Sequence, residues 1–282
     1  MMKLRNIQGD SAICYDRRFI MSENTQYTFQ RYEKKYILTE EEKNLLLCRM
    51  RPYIEADRYA KYTICSLYYD TWDFRLIRAS IEKPVYKEKL RVRSYGTPAD
   101  KDKVFIELKK KYNGVVYKRR IETTASDASD FLNGGGDGFS GAVGRFGQIG
   151  KEILWFRDFY KVSPQVLIAY DREAFSGVRN PGLRITFDSG LRWRDTALDL
   201  RLGDHGEAIP IRASSRRSRT LKNPVLQHPV LMEIKFPGTS PLWLSRMLSE
   251  LKIFPSSFSK YGTCYRSCLL PDRTSKEGFL YV

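Results

Sequence analysis

Basic residues stand at every second position in Tyr86–Arg93: Lys87, Lys89, Arg91 and Arg93, with Leu90 and Val92 between them. Side chains at i and i+2 of a strand share a face, so this segment presents one basic side and one apolar side. Val104–Lys111 repeats the device, with Phe105, Glu107, Lys109 and Lys111 against Val104, Ile106 and Leu108. Val116, Lys118, Arg120 and Glu122 alternate with Val115, Tyr117, Arg119 and Ile121. Val230–Phe236 sets Glu233 and Lys235 against Val230, Met232, Ile234 and Phe236, and an opening segment carries Glu33 and Lys35. Such a set is suited to phosphate: arginine grips two oxygens as a fork and lysine acts as a point charge. The few interspersed glutamates are hard oxygen ligands, able to hold Mg2+ or Mn2+ beside the bases.

An ordinary sheet with one wet face would also alternate in this way. Here the charges on five strands are mainly long basic residues, and the opposite faces are apolar enough to carry helices. The expected fold is α+β and strand-dominated: an antiparallel β-barrel tunnel with a basic lumen and helices packed outside. Such a lumen would repel itself unless a polyanion and metal ions neutralised it. The whole chain leans the same way, with 49 Lys+Arg against 33 Asp+Glu in 282 residues, a formal charge of +16.

Other chemistries find little to work with. His205 and His228 are the only histidines, which leaves little for a Ser-His-Asp or Cys-His nucleophile system. Cys14, Cys48, Cys65, Cys264 and Cys268 form no C-x-x-C pair and read as ordinary thiols in a reducing compartment. Gly136-Asp-Gly138-Phe-Ser-Gly141 matches G-x-G-x-x-G, but no hydrophobic strand precedes it and the chain lacks βαβ rhythm. Gly150-Lys151 is followed by Glu152, not by the Ser/Thr of a P-loop. Arg212, Arg216, Arg217, Arg219 and Lys222 could grip nucleic acid, yet they lack interleaved aromatics, so a nucleic-acid partner is not expected. No run approaches the length of a membrane span, and the first twenty residues hold no apolar core of a secretory signal. The expected location is cytoplasmic.

The elements that would position the charged faces follow from punctuation and period. Phe29–Leu38 reads as a strand, and Thr39 to Glu42 as a capping box opening a helix that stops near Pro52. Thr63–Tyr69 is a strand, with Asp73 the expected N-cap of a short helix through Ala79. Two long strands and part of a third lie between Val85 and Glu122. A short helix is expected at Asp127–Leu132, then a Gly-rich loop over 134–150 and a helix at Ile153–Tyr160. Strands at Gln165–Phe175, Leu183–Asp188 and Val230–Phe236 precede an amphipathic helix at Ser240–Leu251. Residues 203–224 read as a basic loop. One domain over 29–270 is expected, with an N-terminal extension at 1–28 and a tail at 271–282.

Eight stretches in order resemble the VTC domain, the polyphosphate polymerase module of the triphosphate tunnel metalloenzymes, a CYTH-like superfamily. They are RYEKKYIL (31–38), SLYYDT (66–71), KLRVRSYG (89–96), VFIELKKKYNGVVYKRR (104–120), AYDREAF (169–175), LRITFDSGLRWR (183–194), VLMEIKF (230–236) and FSKYGTCY (258–265). The resemblance implies an ATP-binding, metal-dependent transferase that moves the γ-phosphate of ATP onto a growing polyphosphate chain primed by pyrophosphate, releasing ADP. By motif, Lys35, Arg91, Arg93, Lys109, Lys118, Arg172, Arg184 and Lys260 would contact phosphate, with Lys89, Arg120 and Lys235 as further contacts. Glu233 would hold Mn2+ or Mg2+, and Glu33 and Glu107 are further metal candidates. CYTH-type enzymes carry E-x-E-x-K where this chain has Arg31, and the loss of that carboxylate favours the VTC branch over a small-molecule triphosphatase or a cyclase. A tunnel triphosphatase or polyphosphatase, and a non-catalytic module binding polyphosphate or inositol phosphates, are the alternatives.

Overall fold

The computed structural model describes residues 31–113, 115–134, 138–212 and 225–271. All belong to one compact unit, Arg31–Val282. The expected extension at 1–28, most of the 203–224 loop with Arg216, Arg217, Arg219 and Lys222, and all but the first residue of the tail lie outside the described residues.

Nine strands form one sheet: β1 (Arg31–Leu38), β2 (Ile54–Asp70), β3 (Tyr86–Tyr95), β4 (Lys103–Tyr112), β5 (Val115–Thr124), β6 (Ser163–Gly177), β7 (Arg184–Arg194), β8 (Glu207–Ala208) and β9 (Val230–Pro237). The order is β1-β9-β7-β6-β2-β3-β4-β5, with β8 added to β7, and every pairing is antiparallel. The antiparallel, strand-rich α+β class is as expected, but the barrel is not closed: β1 and β5 end the sheet without pairing. The free edge of β1 is used instead by the C-terminal segment, whose Ser256 N–H donates to the Lys35 carbonyl at 2.7 Å. The two ends of the sheet nevertheless lie close enough for Glu33 and Lys35 of β1 and Glu233 of β9 to interact electrostatically with Lys109 of β4.

Helices cover the outer face in two places. α1 (Glu40–Met50) and α5 (Leu242–Glu250) pack on β1, β9 and β7, burying Leu38, Ile185, Met232 and Ile234 with Leu46 and Leu244. α3 (Ala125–Asn133) and α4 (Gly138–Tyr160) cover β2 to β6, where Leu90, Val92, Ile106 and Leu108 meet Phe131, Ile153 and Phe156. Burial of these large apolar side chains stabilises the fold by about 1.5–3 kcal/mol each. The Thr39–Glu42 capping box opens α1 as expected.

Not all helices lie outside. α2 (Arg75–Ile81) and α6 (Lys260–Cys264), continued by a π-helical turn at Tyr265–Leu269, pack on the inner face, where Ile64, Tyr68, Val166, Ile168 and Tyr170 make it apolar. Asp73 does not cap α2. Phe74 holds the N-cap position in the left-handed region, and the buried carboxylate of Asp70 accepts the N–H groups of Leu76 (2.9 Å) and Ile77 (3.0 Å). It also accepts from Thr71 N–H (2.8 Å) and from the Tyr261 hydroxyl (2.9 Å), which ties α6 to α2. The expected 134–150 loop is helical from Gly138, broken at Gly147, whose φ of 55° a residue with a Cβ rarely adopts. The 203–224 stretch is not loop throughout: β8 pairs with β7, and Ile209 and Ile211 are buried. β2 and β7 run past their expected ends because pairing with β6 carries polar segments into the ladder.

Candidate phosphate-binding site

Register sets the charged residues in cross-strand rows. In one row Tyr68, Arg91, Glu107 and Arg120 are direct partners on β2, β3, β4 and β5. In the next, Lys89 faces Lys109 and Lys109 faces Lys118, three like charges side by side. Opposed like charges destabilise a sheet; Lys118 finds Glu107, whereas Lys89 and Lys109 face each other with no carboxylate at salt-bridge distance among the described residues.

Glu107 organises the first row. Its Oε2 accepts from Arg91 Nε (2.9 Å) and Nη2 (2.7 Å), and its Oε1 from Arg120 Nε (2.9 Å) and Lys118 Nζ (2.6 Å). Burial would raise its pKa, but Arg91, Arg93 and Lys118 outweigh that and hold the carboxyl well below the usual range. With both oxygens occupied by cations, Glu107 does not fit a metal ligand; it fixes the basic side chains. Arg91 also donates to the Tyr68 hydroxyl at 3.3 Å.

Arg93 is different. Its buried Nε has no hydrogen-bond partner among the described residues, and its ion pair with Glu107 spans 3.9 Å. A buried guanidinium N–H without a hydrogen-bond acceptor is costly, and an arriving anion removes that cost. Lys89 donates to Ser259 Oγ at 3.1 Å, and burial together with Lys87, Lys109, Lys35 and Arg91 pushes its pKa down to about 7. The Lys109 ammonium is likewise pushed down, chiefly by burial.

On the facing strands, Arg172 of β6 forks onto Asp188 of β7 (2.6 and 2.8 Å), and Lys260 of α6 reaches the same carboxylate at 2.6 Å. Lys260 also sits 4.3 Å above the Tyr170 ring. Burial would raise the Tyr170 pKa, but Lys260, Arg93 and Arg172 bring it below its ordinary value. The sequence reading missed Asp188, Tyr170 and Ser259. Asp188 was within reach, because Arg184, Thr186 and Asp188 alternate onto the inner face of β7. Arg184 is exposed and held by Asp57 at 2.7 Å, apart from the central group.

Glu33 and Glu233 flank the same two ammonium groups. Lys35 Nζ lies 3.1 Å from Glu33 and 3.8 Å from Glu233, and Lys235 Nζ lies 3.8 Å from Glu33 and 2.5 Å from Glu233. Burial opposes ionisation of Glu233, yet Lys235 and Lys35 bring its pKa down to about 2. Like those of Glu107, the oxygens of both carboxylates are engaged by cations, but here the cations are two lysines of the basic face; the pair would suit a hard divalent ion only with Lys35 and Lys235 turned to phosphate oxygens. No group of three metal-ligating side chains occurs among the described residues.

The family model for the VTC domain matches residues 30–269. The chain belongs to the VTC domain family. Among solved structures it is similar to a candidate adenylyl cyclase from Hippeastrum reported to have a dominant triphosphatase activity, at 16% identity and TM-score 0.45, covering 84% of this chain and 96% of that one. It is also similar to a candidate adenylate cyclase from Bacillus halodurans, at 13% identity and TM-score 0.42, covering 80% and 92%. A protein of Pyrococcus horikoshii matches at 13% identity and TM-score 0.39, covering 86% and 99%. No curated protein matches the sequence. Among the described residues of this VTC domain, no helix is long and apolar enough to cross a membrane.

Proposed function

We propose that this VTC domain transfers the γ-phosphoryl group of ATP to the end of a polyphosphate chain and releases ADP. The observation that carries the reading is the Lys89–Lys109 pair, directly opposed like charges with no carboxylate at salt-bridge distance among the described residues, beside Lys118 held by Glu107; a multivalent anion turns that cost into a binding site. Arg93 beside it, whose buried Nε has no hydrogen-bond acceptor among the described residues, adds a fork for phosphate oxygens.

In the proposed reaction a terminal oxygen of the acceptor chain attacks the γ-phosphorus. The bond from that phosphorus to the β–γ bridging oxygen breaks, and ADP leaves with the electron pair. The acceptor is already an anion, so no histidine base is needed, and positioning with charge neutralisation supplies the rate. Arg91 and Arg93 grip the reacting phosphates, Lys35, Lys89, Lys109, Lys118 and Lys260 neutralise them, and Arg172 and Asp188 keep Lys260 aimed inward. Arg120 and Lys235 hold the two carboxylate clusters in place. Glu233 and Glu33 would hold Mn2+ or Mg2+, which when bound neutralises charge on the phosphates undergoing transfer.

The test is ADP release from ATP with Mn2+ or Mg2+, comparing the wild type with Arg91→Glu/Arg93→Glu. Loss of turnover with the far-UV spectrum retained supports the site; unchanged turnover in the double variant overturns it.

A further inference from the structure

The basic ladder does not stop at Lys89. One pleat further along β3 and β4, Lys87 and Lys111 are again direct partners, on the same face as Lys89 and Lys109. Lys87 donates only to the Ser80 carbonyl, at 3.3 Å, and neither lysine has a carboxylate partner among the described residues. Carboxylates do lie nearby, but on the other face: Glu88 and Glu152 take Lys110, the neighbour that points outward. The Lys87 ammonium is pushed down by burial, then by Lys111 and Lys83. The fold therefore sets a second pair of opposed like charges next to the first and leaves it uncompensated.

We infer that Lys87 and Lys111 form a distal subsite for inorganic polyphosphate, used only by chains long enough to extend past the Lys89–Lys109–Lys118 row. From Arg93 to Lys87 the ladder spans six residues of extended strand, about 20 Å. A short ligand centred on Arg91 and Arg93 leaves the Lys87–Lys111 step empty, whereas a long one neutralises both steps. The subsite sets chain-length preference, and it rests on the reading of the inner face as a phosphate site.

Calorimetric titration of the full chain with tripolyphosphate and with long-chain polyphosphate tests it, using Lys87→Gln/Lys111→Gln and the charge-retaining Lys87→Arg/Lys111→Arg. The expected result is a loss of about tenfold in affinity for the long chain, with a shallower salt dependence, and little change for tripolyphosphate. The arginine pair restores long-chain binding. Equal loss for both ligands, or no loss for either, overturns the subsite while leaving the central site standing. Failure of the wild type to bind either ligand overturns the phosphate reading itself and the subsite with it.

Discussion

Glu107 accepts two hydrogen bonds from Arg91, at 2.9 and 2.7 Å, across directly paired positions of neighbouring strands. The pair anchors the basic inner face, since the same carboxylate also holds Lys118 and Arg120. Replacing Glu107 by Gln leaves those cations facing one another without their counter-charge. The expected loss is about 3 kcal/mol in urea unfolding. Added tripolyphosphate recovers part of it by binding only the folded state.

The acid limb of stability follows from the same group. Glu107 has a lowered folded pKa, so its contribution is present above the ordinary carboxylate range and is lost as pH falls through and below that range. A wild-type acid transition that the Glu107→Gln variant shares unchanged would contradict this assignment.

Lys89 gives a second pH signature, of the same sign for stability but at higher pH. Its folded pKa of about 7 lies below that of an unfolded lysine, so above pH 7 the unfolded chain binds the extra proton and ligand-free stability rises with pH. Phosphate binding requires the ammonium, so affinity for tripolyphosphate falls as pH rises from 7 to about 9. Lys89→Arg keeps its charge and should flatten the slope. Calorimetry across that range checks it, and an equal slope in both proteins would remove Lys89 from the site.

The strand faces were legible because period-2 alternation needs only sequence, and β3, β4 and β5 lie where the alternation of Lys87–Arg93, Phe105–Lys111 and Val116–Glu122 put them. Closure was not legible. Whether β1 pairs with β5 depends on what occupies the edge of β1, and the occupant, Ser256, lies over two hundred positions away. The role of Asp70 was hidden for a similar reason: a carboxylate six residues before the helix N–H groups does the work that short-range capping rules assign to Asp73. At the site, residue type located Glu107, but only register shows that cations fill both its oxygens. Glycine content argued for a loop at 134–150, and packing of Phe146 and Ile149 against the α3 core overrides that propensity.

Asp70 is itself testable. Its two oxygens accept from three backbone N–H groups and the hydroxyls of Tyr261 and Thr71 in a fully buried setting. Asp70→Asn places an amide group where Ile77 N–H and the Tyr261 hydroxyl now donate. The expected loss is about 1–3 kcal/mol, seen as a lower midpoint in urea, with slackened contact between α2 and α6. A midpoint equal to the wild type would show that the capping role is carried elsewhere.

Metal dependence should separate from ligand binding. Chelation is expected to stop ADP release while tripolyphosphate still binds Arg91 and Arg93. Glu233→Gln should raise the Mn2+ concentration needed for half-maximal turnover by about 10–100-fold, as loss of a carboxylate near the ion does in other metal sites. Glu107→Gln, which lies outside the carboxylate pair, should leave that concentration unchanged.

The most direct measurement is product analysis after incubating the purified chain with ATP, Mn2+ and a pyrophosphate primer, resolved on a gel beside Glu233→Gln. A ladder of phosphate chains accompanied by ADP, absent in the variant, is the predicted result. ATP consumption that yields only free phosphate, with no chains at any primer concentration, would contradict polyphosphate synthesis and make water the acceptor.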